Sequence, residues 1–168
     1  MKVFLFALLI VTPMALTVQT SASEKTTVVG LIEDVRVDPG GLIFSAKMDT
    51  GADHSSVNAQ SIHRFRRRGV RWVRFDLVNA DGTTASLERR LVRLVTIKRS
   101  EGKKSKRPVV RLTICMGTIS REVEVNLVDR SRFNYKMLIG RSFMEDNVLV
   151  DPSRKFTIEP QCPQQPTE

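Results

Sequence analysis

The stretch from Ile43 to Asn58 constrains this chain more than any other. It opens with Ile43 to Met48, which reads as a strand and contains no proline. It then breaks at Asp49-Thr50-Gly51-Ala52, a carboxylate set on a tight turn that glycine permits. A second piece answers it far downstream: Met137-Leu138-Ile139-Gly140-Arg141, a short apolar run closed by glycine and arginine. A carboxylate delivered at a strand end is held by a sheet rather than by a mobile loop, so a chain of this kind has to be built from strands.

The remaining sequence agrees. Thr26 to Val37 is rich in Val, Ile and Thr and reads as a strand, which Asp38-Pro39-Gly40-Gly41 turns back into Leu42 to Met48. His54 to Arg68 mixes polar and apolar residues and fits either a helical turn or a strand. Val70 to Val78 alternates, with Val73, Phe75 and Leu77 on one face. Asn79-Ala80-Asp81-Gly82 is a turn signal, and Thr83 to Lys98 resumes extended structure. That long hairpin is a candidate flap over a substrate site, or else an ordinary surface hairpin. Ser100 to Arg107 reads as a basic loop. Pro108 to Met116 and Ile119 to Val128 pair across Gly117-Thr118, with Val123, Val125 and Leu127 facing one way. Met137 to Ile139 is a short buried strand, Arg141 to Asp146 a helical turn, and Asn147 to Ile158 a terminal hairpin about Asp151-Pro152-Ser153. Short strands at regular spacing without a long helical period predict an all-β fold, a small closed barrel with at most one or two short helices. No internal repeat is visible, so there is one Asp-Thr-Gly and not two.

With 168 residues the chain is long enough for one domain with a real core. Residues 1–22 read as a signal peptide: Lys2 is the positive start, Val3 to Leu16 an uncharged apolar run, and Thr20 to Ser23 are small. The run is short against the roughly 20 apolar residues of a spanning helix. Cleavage after Ala22 would leave a domain over 23–160 and a flexible tail over 161–168, in the periplasm; an uncleaved amino-terminal anchor is the alternative. Net charge is +9. The cations are scattered among strand residues with few aromatics to stack bases, which argues against a specific nucleic-acid site and leaves an acidic peptide or an anionic envelope polymer as partner. Cys115 and Cys162 could pair in an oxidising compartment; otherwise Cys115 is a buried strand residue and Cys162 a tail residue.

Peptide hydrolysis by carboxylates needs two aspartates at hydrogen-bonding distance sharing one proton, one acting as acid while the other activates water. Asp49 supplies one carboxylate, the Thr50 hydroxyl can bond across to a partner loop, and the Gly51 amide can reach the carboxylate. Ala52 is small where packing is close. Asp81-Gly82-Thr83 and Asp151-Pro152-Ser153 are not second copies. The dyad then requires the Asp49 of a second subunit, and catalysis implies a homodimer acting on a peptide or protein. Asp53 and His54 follow the motif, and Asp53 either repels Asp49 or points to solvent. There is no His-Glu-x-x-His, and no phosphate-binding glycine loop. The expected mechanism therefore uses no metal or other cofactor. A metal-dependent hydrolase and a peptide- or envelope-binding module without hydrolysis are the rival readings.

A strand ending in Asp-Thr-Gly-Ala, followed much later by apolar-Ile-Gly-Arg, resembles the single-domain aspartic proteases of the retropepsin type. Ala46 to Ala52, Val128-Asp129-Arg130-Ser131, Leu138 to Phe143 and Val150-Asp151-Pro152 are similar to the bacterial retropepsin-like family often labelled "ATP-dependent zinc protease". The resemblance covers Thr27 to Ile158. It implies that Ile139 and Gly140 pack behind the aspartate loop and that Arg141 braces the site by ion pairing.

Overall fold

The computed structural model describes residues 26–98 and 104–163. Among them the order is β1 (Thr27–Asp38), β2 (Leu42–Met48), β3 (Ser55–Arg67), β4 (Val70–Val78), β5 (Thr84–Arg90), β6 (Arg93–Lys98), β7 (Lys104–Met116), β8 (Ile119–Val128), β9 (Met137–Ile139), α1 (Arg141–Met144) and β10 (Val148–Lys155). Six of these strands close a ring in the order β1-β2-β9-β3-β8-β7, and β7 returns to β1 through Thr113–Cys115 against Arg36–Asp38. β10 and β6 extend the ring outward from β1 and β7. The expected all-β closed barrel is therefore present, with a single four-residue helix among the described residues.

Alternation fills the barrel. Leu42, Phe44, Ala46 and Met48 of β2 point inward, while Ile43, Ser45 and Lys47 point out. Val123, Val125 and Leu127 of β8 do the same from across the ring. Burying a side chain such as Phe44 in this way contributes about 1.5–3 kcal/mol.

Several local expectations change. The undecided segment after the aspartate turn is strand β3, whose Ser55–Ala59 portion is buried at five successive positions. Val57 and Ala59 face the core while Arg130 covers Ser56 and Asn58 on the other face, so the segment loses the alternation that would have identified it. At Ser61, where φ is +50°, the register of β3 shifts. Beyond that point β3 pairs with β4 alone, and β4 with β5, giving a three-stranded ribbon whose inner face (Val73, Phe75 and Leu77) packs into the core while residues 66–71 at its tip are exposed. Thr83–Lys98 is not one extended arm: it breaks at Leu91-Val92, β5 stays with β4, and β6 crosses to β7. Lys104–Arg107, read as loop, opens β7.

Nor is the carboxy-terminal end a hairpin. β10 is one strand, parallel to β1, and carries Pro152 without penalty because it is an edge. Beyond it the chain is captured by Glu33, a fully buried carboxylate that accepts hydrogen bonds from the amides of Gly30, Thr157 and Ile158 and from the Thr157 hydroxyl. The flexible tail proposed over 161–168 does not hold for its described part. Cys162 is buried and disulfide-bonded to Cys115, and the Arg36 guanidinium donates to the carbonyls of Cys162 and Pro163, both at 2.9 Å. The signal peptide expected over 1–22 and the last five residues of the expected tail lie outside the described residues. No described helix is long and apolar enough to cross a membrane.

Candidate active site

β9 is the strand on which the site depends. It lies between β2 and β3, parallel to the first, with Met48 opposite Ile139. One residue further on, the Asp49 amide donates to the Ile139 carbonyl at 2.8 Å. The carboxylate thus leaves a backbone pinned on both sides. The Gly51 amide donates to Asp49 Oδ1 at 3.1 Å, and the Ala52 amide closes the turn on the Asp49 carbonyl at 3.2 Å. Gly51 is not among the residues with left-handed φ, and a Cβ there would stand 3.4 Å from Asp49 Oδ1. Glycine at this position leaves the flank of the carboxylate open rather than relieving the backbone.

Gly140 is needed for a different reason. A Cβ on it would fall 2.5 Å from the carbonyl carbon of His54 and 2.8 Å from its oxygen, so the two chains approach too closely for any side chain. Its amide donates to Ser55 Oγ, while the amides of Arg141 and Ser142 donate to the carbonyls of Ala52 and Asp53. Backbone therefore zips the aspartate turn to the β9–α1 corner. The Arg141 guanidinium finishes the arrangement, donating Nη1 to the Thr50 carbonyl at 2.8 Å and pairing Nη2 with the Asp53 carboxylate. The charge of Asp53 is thus met by Arg141.

The tip itself faces outward. Asp49 is half-buried, Thr50 and Gly51 are exposed, and the Thr50 hydroxyl has no hydrogen-bond partner among the described residues. Opposite Asp49 lies a residue to which the sequence reading gave no role. Arg130 is 8% exposed; its amide donates to Asn58 Oδ1, its Nε to the Tyr135 carbonyl, and its guanidinium lies 4.7 Å over the Phe133 ring. Burial first, and the neighbouring charge of Arg107 second, push the Arg130 guanidinium below its usual range, while the negative charge of Asp49 pulls the other way. Its word, Val128-Asp129-Arg130-Ser131, was legible in the sequence, but its bond to Asn58, 72 residues away, carries no short-range signal.

The flap candidate does not belong here. The Asn79 side-chain amide donates to the Ile43 carbonyl at 3.3 Å, which sets Asn79, Ala80, Asp81 and Gly82 at the far end of β2 from Asp49. Six strand residues separate the two ends, roughly 20 Å at about 3.3 Å per residue. Asn79 instead closes its own turn by accepting from the amides of Asp81 and Thr83. Among the described residues, no three His, Cys, Asp or Glu side chains are grouped so as to hold a metal ion.

Comparison with known proteins gives three findings. The family model described as RimB-like, retropepsin-like aspartic endopeptidase RimB, matches residues 28–161. Relatives from Shewanella pealeana and Shewanella halifaxensis, both named probable alpha-L-glutamate ligase, are 38% and 37% identical over 118 residues. Each match takes in 68% of this chain and 26% of the relative, so the chain spans about a quarter of the length of those proteins. A solved protein of unknown function from Legionella pneumophila is 37% identical, with a TM-score of 0.68 over 77% of this chain and 96% of its own.

Proposed function

Because the chain belongs to the RimB-like family of retropepsin-like aspartic endopeptidases, we propose that it hydrolyses peptide bonds with a pair of Asp49 carboxylates, one from each subunit of a homodimer. One carboxylate takes a proton from water as the oxygen attacks the scissile carbonyl carbon. The other, protonated, gives its proton to the carbonyl oxygen. The tetrahedral intermediate then collapses with proton transfer to the leaving amine, and no covalent enzyme intermediate forms. Thr50, whose hydroxyl is unengaged, ties the two turns together; Gly51 orients Asp49, and Ala52, Ile139, Gly140 and Arg141 hold the turn.

The observation that carries this reading is the turn itself, a rigidly pinned carboxylate on an exposed tip, present once in the chain. A second feature supports the dimer. Val28 and Leu149 pair across β1 and β10, are 50% and 60% exposed, and lie at the Asp49 end of the barrel beside the open edge of β10. Apolar side chains on an unpaired edge strand suit a sheet shared between subunits. The disulfide fits an oxidising compartment and supports the periplasmic reading of the leader.

For the substrate we propose an acidic peptide. The relatives' name concerns alpha-L-glutamate, and the surface near Asp49 is basic, with Lys47, Arg130 and Arg132 lining one cleft. Sedimentation of the mature chain, combined with hydrolysis of glutamate-rich peptides by wild type and Asp49→Asn, tests the proposal. A dimer whose cleavage is lost in the variant supports it. A monomer that binds such peptides without cleaving them would make this a binding module.

A further inference from the structure

We infer that the outer part of β3 and the start of β4 form a remote binding track for an extended acidic chain, continuous with the cleft beside Asp49. The identity of the bound chain rests on the acidic-peptide reading above; the track itself rests on geometry and charge.

Three clefts of about 390, 760 and 530 Å³ lie end to end. The first holds Lys47 and Leu138, which face each other across β2 and β9. Lys47 lies on β2 two residues before Asp49, about 7 Å away along an extended chain. The first and second clefts share Arg132 and Phe133 as a wall; the second and third share Ile62, Arg64 and Leu94. The run ends on the ribbon at Arg66, Arg71 and Trp72.

Along its length eight lysine and arginine side chains face the single carboxylate of Asp129. The ribbon's own acid does not change this. Glu88 is taken by Arg67 and Arg74, leaving Arg64, Arg66 and Arg71 with no carboxylate partner among the described residues. Arg67 and Arg90 stack on Trp72 at 4.9 and 5.8 Å, and the residue stays partly exposed at the end of the run. Cations strung out along a groove, with apolar side chains between them, do not converge on one compact anion. They match a chain that presents carboxylates at intervals, and their summed field raises its local concentration near the site.

Trp72 is the single tryptophan of the chain, so its fluorescence reads the far end of the track directly. The test titrates full mature Asp49→Asn protein with a long glutamate-rich peptide, a short peptide cut from the same sequence, and the long peptide with glutamine for glutamate. The track predicts a saturable change in Trp72 emission with the long acidic peptide alone. In Arg66→Glu/Arg71→Glu, checked for an unchanged thermal midpoint, the long peptide should bind about tenfold more weakly and with a reduced salt dependence, while the short one binds as before. Equal binding of the glutamine peptide, or indifference to the double substitution, overturns the inference. So does a Trp72 response to anionic lipid vesicles but not to peptide. No hydrolysis of the long peptide by wild-type protein, with this binding intact, would remove the peptidase reading and leave the track standing.

Discussion

The barrel and the ribbon share strand β3 and use it in opposite ways. From Ser55 to Ala59 every residue is buried, with β8 paired along Ser55–Asn58 and β9 opposite Ser56 and Val57. After the shift at Ser61 it carries exposed Ser, Ile, His and Arg, and its one remaining neighbour is β4. The barrel half fixes the aspartate turn through close backbone contact. The ribbon half has almost no apolar packing around its tip and is organised by guanidinium groups on Phe65 and Trp72. A single strand can thus hold a site rigid and extend a charged surface from it, because sheet pairing is local to each stretch of backbone.

The sharpest way to break this contrast is to remove an aromatic ring from each half. Phe44→Ala opens a cavity inside the closed ring and should cost about 3–5 kcal/mol, whereas Trp72→Ala should cost at most about 1 kcal/mol, its stacking with arginine. Denaturant unfolding of the two variants measures the difference; equal losses would mean that the tip of the ribbon is packed as the core is. Gly140→Ala comes next. Its Cβ has to displace the His54 backbone, and overpacking of this kind costs about 1–3 kcal/mol. Activity should fall further than stability alone explains, because the displaced chain carries the turn that holds Asp49.

The smallest effect belongs to the ribbon. Arg74 and Arg67 hold the Glu88 carboxylate below its ordinary value of 4.5. A carboxylate lowered in the folded state contributes stability above its ordinary pKa and loses it as the pH falls through the folded one. Glu88→Gln should therefore lower the thermal midpoint slightly at neutral pH. The gap should close as the pH is taken below 4.5 and should shrink in high salt, since the pair is exposed. A gap that widens in acid would contradict the assignment.

What the sequence revealed follows the same division. β2 and β8 were legible because one face of each is buried and the other wet, and the aspartate turn because its four residues are contiguous. β3 was not, since a strand covered on both faces, by the core and by Arg130, loses its period, and a cationic ribbon imitates loop composition. The flap expectation failed because hairpin length does not say where the tip lands; the bond from Asn79 to Ile43 does. The terminal segment looked loose by composition, yet Arg36, Glu33 and Cys115 hold it from more than forty residues away. Gly140 was visible as a letter, but the contact that requires it lies between segments distant in sequence.

The central claim, a catalytic pair of Asp49 carboxylates built from two subunits, is met most directly by subunit mixing. A fixed amount of wild-type protein is titrated with Asp49→Asn protein under conditions of subunit exchange, and hydrolysis of a glutamate-rich peptide is followed. A shared dyad predicts that activity falls toward zero as inactive heterodimers replace wild-type dimers. Activity that stays proportional to the wild-type protein, whatever the excess of variant, would show that each subunit acts alone and would contradict the account.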